Sequence, residues 1–361
     1  MAGFSTLIIN KTSPDAKNNP GKAGHFEGIP YVYTSVHASR PDKFIPRSLN
    51  KISGYVGEFA LLKKKRKTIQ AAILYTSSFF ELVYYRLLSA VFRFKLVIQY
   101  VEFRSSIHAR KGFFTALNDR LFDNYCHRFC DGIIVISEFL KDHVRSKTDK
   151  IQVVKIPAIN DFGAKTSMPS VKRQPYLMYC GTIEYLEVIK FILEVFAGLK
   201  LQKGYHGRLL LIISGSNVKN WEALRSILDR EDYQDLVEIR SNIKHSELLS
   251  FYDGADLLMI PLRDSIQDRA RFPHKIGEYT ASKRPILSTN VGEMRSYFKN
   301  GISAILADKY SVDDYIDTLS RYLVSDELTS IGLSGYQVGM ENFHYANYED
   351  VLKGLVNSKP K

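Results

Sequence analysis

Short apolar runs alternate with longer amphipathic stretches along nearly the whole of this chain, and the alternation occurs twice. The first series is STLIIN (5–10), IPYVYTSV (29–36), QAAILYTS (70–77), KLVIQYVEF (95–103), GIIVIS (132–137) and IQVVKIP (151–157). Helical periodicity falls at 54–67, 79–94, 113–131 and 138–147, with loops expected over 11–28 and 37–50. The second series is YLMYC (176–180), RLLLIISGS (208–216), LVEIRS (236–241), ADLLMIP (255–261), PILST (285–289) and SAILAD (303–308). Helices are expected between these runs, then at 312–326 and again over 327–356. Strand and helix alternating at this pace mean α/β architecture with parallel, doubly wound sheets. Residues 158–174 are polar, carry Gly, Pro and Ser, and have no period, so they read as a linker. A chain of 361 residues exceeds one ordinary core, and two domains follow.

Ligands of open α/β sheets bind at the carboxyl ends of strands. Gly181, Ser214, Gly215, Pro261 and the segment 269–275 all fall at such ends. The richest stretch is 268–293, DRARFPHKIGEYTASKRPILSTNVGE. Pro273 suits the first turn of a helix, which is expected to run to about Ser282 before Pro285 stops it. Lys275, Glu278 and Ser282 then share one face, while Ile276 and Tyr279 share the neighbouring, packed one. A helix start with Arg269 and Arg271 before it is a natural anion site. A solvated Lys/Glu face fits the same spacing.

The formal net charge is +12, which favours an anionic partner: nucleotide, phosphate, anionic lipid or nucleic acid. The cations are scattered and no nucleic-acid-binding motif is present, which argues against nucleic acid. Lys63, Lys64, Lys65, Arg66 and Lys67 end a predicted helix. They suit a solvated helix C-terminus, and they suit anionic lipid headgroups. Three cysteines argue for a reducing compartment, and Cys126 and Cys130 read as buried small hydrophobes rather than metal ligands. MAGFSTLIIN lacks the pattern of a signal peptide. The apolar region 77–101 is broken by Glu81, Arg86, Arg93 and Lys95, too often to span a bilayer. A cytoplasmic location is expected, with the inner membrane face as a possible working surface.

Five pieces of the second half together resemble the retaining GT-B glycosyltransferases of the family-4 type. They are YLMYCGTI, LLLIISGS, VEIRSNIKHSELLSFYDGADLLMIPL, FPHKIGEYTASKRPILSTNVGE and KNGISAILAD. The first half is similar less sharply, through YVEFRSS, CDGIIVISEFLKDHV and VVKIPAIND. The resemblance implies two Rossmann-like domains facing a cleft: an acceptor-side domain at 1–165, a donor domain at 170–345 and a tail at 346–361. It implies transfer of a sugar, with retention and no obligatory metal or other cofactor, from a nucleoside-diphosphate sugar. The acceptor would be a saccharide or lipid-linked, and the basic surface with the run 63–67 favours work at the inner membrane face, as in cell-surface polysaccharide synthesis.

Residue by residue, Glu278 matches the second glutamate of the E-x7-E motif, which holds the donor ribose. Lys275 resembles the lysine of its FPxK variant. Phe272 and Pro273 match the turn under the donor phosphates, and Gly181 the glycine that admits a phosphate. Thr182, Gly215, Arg263, Arg271 and Ser282 complete the expected donor set. Glu102, after a strand end in the acceptor half, joins Glu278 and Lys275 as a candidate catalytic residue, with a structural ion pair as its other reading. Ser137 and Glu138 line the expected cleft, where an N-cap and a first-turn acid are the plainer roles.

The sequence departs from the pattern at three places. Ala270 stands where the motif's first glutamate would fall. Thr182 and Glu187 stand where the family often has an arginine and a lysine for the diphosphate, leaving Arg263, Arg269, Arg271 or Lys275 to supply positive charge. The first strand, glycine loop and first helix of the acceptor domain have no counterpart, as in an N-terminally truncated chain. Two readings follow, an active transferase and a GT-B protein that binds donor without turnover.

Overall fold

The computed structural model describes residues 3–12, 21–39, 41–107, 110, 112–163, 175–230, 233, 236–323 and 326–358. The chain opens with a small sheet of β1 (Ile8–Asn10), β2 (Ala23–Phe26) and β3 (Ile29–Tyr33), in the order β1-β3-β2. Strands β1 and β3 are parallel, and β2 and β3 form a hairpin. Strand β2 lies where a loop was expected. Its AGHF sequence has no apolar alternation, but Glu27 and Gly28 both take positive φ, +49° and +80°, as a two-residue hairpin turn requires.

Helix α1 (Phe44–Lys65) starts ten residues before the expected 54, inside the predicted loop. Pro46 lies in its first turn, where a missing N–H does no harm. Then come β4 (Ala71–Leu74), α2 (Phe79–Phe92), β5 (Lys95–Tyr100), α3 (Phe113–Tyr125), β6 (Gly132–Val135), α4 (Glu138–Arg145) and β7 (Gln152–Lys155). Strands β4-β5-β6-β7 form a parallel sheet, so the first half holds two sheets, not one. Cys126 and Cys130 are buried and free, and burial pushes the Cys126 thiol up to about 12.

The second half is one parallel sheet with helices on both faces. Its elements are β8 (Tyr176–Thr182), α5 (Leu186–Lys203), β9 (Arg208–Ser214), α6 (Val218–Arg230), β10 (Val237–Arg240), α7 (His245–Gly254) and β11 (Leu257–Ile260). They continue with α8 (Ile266–Ala270), α9 (Lys275–Ala281), β12 (Ile286–Thr289), α10 (Glu293–Tyr297), β13 (Ile305–Ala307) and α11 (Val312–Leu323). The strand order β10-β9-β8-β11-β12-β13 reverses between β8 and β11. That reversal is the switch point at which open sheets take ligands. Leu177, Met178, Leu257, Leu258 and Met259 are fully buried there, as expected of strands covered on both faces.

The chain then returns to its first half. Helix α12 (Glu327–Phe343) packs on α9, and Asn160 N–H donates to the Phe343 carbonyl at 2.8 Å. Helix α13 (Glu349–Asn357) lies within the stretch read as a tail. Its Leu355 is buried with Val97 of β5 and Ile134 of β6. Of the expected linker, 164–174 lie outside the described residues.

Candidate functional site

Glu278, on α9, lies at the carboxyl side of the β8/β11 switch point. Its Oε2 accepts two hydrogen bonds, from the Tyr252 hydroxyl and from the Lys275 ammonium, each 2.9 Å. Among the described residues its Oε1 has no partner, and the side chain is 20% exposed. One oxygen is therefore fixed and the other is left to accept from something that enters. Tyr252 is completely buried, which drives its phenol pKa far up and keeps it a donor. Behind them the Tyr279 hydroxyl lies 3.0 Å from the backbone N–H of Cys180, joining α9 to β8.

Helix α9 begins at Lys275, two residues later than Pro273 suggested, and the Pro273 carbonyl accepts from Ile276 N–H at 3.0 Å. Seven residues make a short helix, so its dipole adds little beside the discrete cations. Ser282 sits at the opposite end, roughly 10 Å along the axis by the helical rise. Its hydroxyl donates to the Tyr279 carbonyl at 2.7 Å and caps the helix, so the structure does not bring it to Lys275 and Glu278.

The two glycines lie at the carboxyl ends of β8 and β9. Gly181 is the penultimate residue of β8, which ends beyond the expected strand, at Thr182, and the Tyr179 hydroxyl occupies the space of a Cβ there. Gly215 has φ +109°, and a Cβ on it would come within 2.7 Å of Glu184 Oε2. At both positions a neighbouring side chain, Tyr179 or Glu184, takes the space that a Cβ would need, so only glycine fits.

The expected cations all carry carboxylate partners. Arg271 lies over the Tyr185 ring at 4.7 Å and pairs with Asp268 Oδ1 at 2.7 Å. Its Nε is buried with no partner among the described residues, an unused donor. Arg263 donates to Asp268 Oδ2 from both its Nε and its backbone N–H, each 2.9 Å, and that bond raises its pKa. Arg269 pairs with exposed Asp264 at 2.6 Å. Arg263, Arg271 and Asp268 together carry one net positive charge, which the Glu184 carboxylate beside Gly215 offsets. The Phe272 ring points into the core, against Phe343 at 5.2 Å.

Asp268 escaped the sequence reading, which placed a loop here instead of α8. The signal was present: Ser265 and Asp268 have capping spacing, and the Ser265 hydroxyl accepts from Asp268 N–H at 3.2 Å.

Ala270 ends α8, fully buried, and its carbonyl accepts from the Ser137 hydroxyl at 2.6 Å. Ser137 is also the N-cap of α4. Next to it, Glu138 N–H donates to Glu293 Oε1 at 2.7 Å, and Lys155 bridges Glu138 at 2.8 Å and Glu293 at 3.1 Å. Burial opposes the charge on Lys155, but bonds to Glu138 and Tyr297 outweigh it and hold the ammonium pKa up. Burial raises Glu293, with Lys155 opposing. The N-cap and acid expected of Ser137 and Glu138 are thus also the clamp between the halves. Lys155 and Glu293 gave no sequence signal, being far apart in the chain.

Glu102 follows β5, half-buried, in the loop before a 3-10 turn at 104–106 that touches α8. Arg110 feels its charge, although Asp119 is the stronger partner of that guanidinium at 2.6 Å.

Residues 164–330 match the family described as Glycosyl transferases group 1. That match falls on the second half of the chain, the half that carries Glu278 and the glycines. A curated relative, D-inositol 3-phosphate glycosyltransferase of Thermobifida fusca (strain YX), is 22% identical over 188 residues. That match spans 50% of this chain and 41% of the relative's length. Among solved structures, a glycosyltransferase from Rickettsia africae ESF-5 is similar with a TM-score of 0.72 at 15% identity, over 99% of this chain and 92% of that one. Anabaena HepE in complex with UDP-glucose is similar with a TM-score of 0.67 at 12% identity, over 91% and 85%. The fold is GT-B, and the matched residues form its second Rossmann-like unit.

Proposed function

We propose that the protein is a glycosyltransferase that moves a sugar, with retention, from a nucleoside-diphosphate sugar to a saccharide or lipid-linked acceptor. The observation that carries this is Glu278, at the switch point of a group 1 domain, with Oε2 held by Tyr252 and Lys275 and Oε1 open. In this reading Oε1 accepts from a ribose hydroxyl. Gly181, Thr182 and Gly215 admit the diphosphate, and Lys275 and the unused Arg271 Nε–H stabilise its charge as the leaving group departs. Arg263 tunes Arg271 through Asp268. Phe272 and Pro273 shape the turn, and Glu102 faces the acceptor. Ser282 serves the donor only through the end of α9. No metal is needed for these roles.

We place the work in the cytoplasm, at the inner membrane face, in cell-surface polysaccharide synthesis. The net charge and the run Lys63, Lys64, Lys65, Arg66 and Lys67 support that.

A thermal-shift screen against UDP-, GDP- and ADP-sugars tests the donor. A true donor at a hundred times its Kd adds about 2.7 kcal/mol of stability. Glu278→Gln is expected to abolish the shift, and if no nucleotide sugar moves the wild type the reading fails. NMR of the product's anomeric configuration tests retention.

A further inference from the structure

The membrane part of the proposed function can be taken further, and the following rests on it. Helix α1 is built inside out. Its buried positions are Asn50, Gly54, Glu58 and Leu62. Its outward positions include Ile45, Leu49, Ile52, Val56 and Phe59, between 43% and 70% exposed. These recur at steps of four, three, four and three, so they form one stripe along the helix. Packing alone would turn such a stripe inward, because side chains of this size gain by leaving water. A contiguous exposed stripe marks a surface made for an apolar neighbour. Helix α2 lies beside it through the Tyr55–Tyr84 and Phe59–Phe92 ring contacts, and adds exposed Leu87 and Val91.

Charge is sorted in the same sense. The one acid in α1 is Glu58, and it is buried. Lys51, Lys63, Lys64 and Lys65 are exposed, and Arg66 and Lys67 extend the basic end. An anionic bilayer matches both features, apolar residues meeting the acyl boundary and cations the headgroup phosphates. A second copy of this chain would cover the stripe but leave the basic run without counter-charge. Among the described residues no helix is long and apolar enough to cross a membrane, so α1 would lie on it. The helix also crosses the carboxyl ends of β1 and β3. Gly57 is so close there that a Cβ would come within 2.1 Å of the Thr34 carbonyl. Docking by α1 therefore sets the strand ends of the first half near the lipid.

We propose that α1 is an in-plane anchor for an anionic lipid surface, with the Ile45–Phe59 stripe at the acyl boundary and Lys63–Lys67 on the headgroups. Flotation at physiological salt would compare vesicles of phosphatidylcholine alone with vesicles holding roughly one third phosphatidylglycerol. The wild type is expected to float with the anionic vesicles only. Ile52→Glu/Val56→Glu and Lys63→Glu/Lys65→Glu are each expected to weaken that binding tenfold or more. Ile52→Glu/Val56→Glu should keep any nucleotide-sugar thermal shift of the wild type, because these exposed positions of α1 are not among the residues that hold the donor. Wild type that stays at the bottom with anionic vesicles overturns the proposal, and so does an apolar variant that floats like wild type. A wild-type dimer by light scattering that Ile52→Glu/Val56→Glu makes monomeric overturns it in favour of a second copy. Flotation without any nucleotide-sugar shift would instead sink the donor reading and leave the anchor standing.

Discussion

Asp268 shows how much rests on one carboxylate near the switch point. It is 1% exposed and holds Arg263 and Arg271 at once. Breaking a buried pair by removing one partner costs about 3–5 kcal/mol, since the other charge stays in place. Arg263 is partly exposed, so the lower end applies: Asp268→Asn is expected to destabilise the second half by about 3 kcal/mol in urea unfolding. It should also weaken donor binding, because Arg271 loses the partner that fixes it over Tyr185. Unchanged stability would show that solvent takes over the role of Asp268. Individual residues were legible in the sequence where one local pattern decides them. Glu278 and Lys275 stand three apart on a helix and do meet. Tyr252 was not legible as the second donor to Glu278, because it comes from α7 and only the fold brings it near.

At the scale of elements, the second half was easier to read than the first. Apart from the edge strand β10, its strands are buried on both faces and appear as plain apolar runs. In the first half, β2 is fixed by its turn and not by its side chains. Helix α1 was missed at its start because its apolar residues face outward and its buried face is polar. That inversion leaves a titratable junction between α1 and α2. Glu81 accepts from Lys11 and Thr76, each at 2.5 Å. Burial opposes its charge, yet those bonds hold its pKa below the ordinary 4.5. A carboxyl lowered in the folded state gives stability that is present above 4.5 and lost as pH falls through the folded value. Glu58, raised by burial, acts with the opposite sign: stability falls as pH rises from 4.5 through its folded value. Unfolding free energy against pH should therefore lose its acid-side slope in Glu81→Gln and its rise toward acid above 4.5 in Glu58→Gln. Parallel pH profiles for both variants and the wild type would show that the junction does not titrate as described.

For the whole molecule, the question is what makes two Rossmann-like halves one body. The clamp of Ser137, Glu138, Lys155 and Glu293 joins them at the cleft, and α13 joins them from behind. The sequence showed a helical tail but could not show its destination, since nothing local says which sheet an apolar residue near the end will cover. Leu355 is fully buried against Val97 and Ile134. Gly132 of β6 makes the room: a Cβ there would sit 2.9 Å from Leu355 Cδ1. The buried ammonium of Lys95 donates to the Leu355 carbonyl and to Ser358, which ends the helix on the same strand. Truncating a buried leucine costs about 2–5 kcal/mol, more where neighbours cannot collapse. The site lies between a helix and two central strands, so Leu355→Ala is expected to destabilise the first half by about 3 kcal/mol. If α13 is what couples the halves, urea unfolding that is one transition in the wild type will split into two, the second half melting last. Retention of a single transition at unchanged midpoint would mean that the clamp at the cleft alone holds the molecule together.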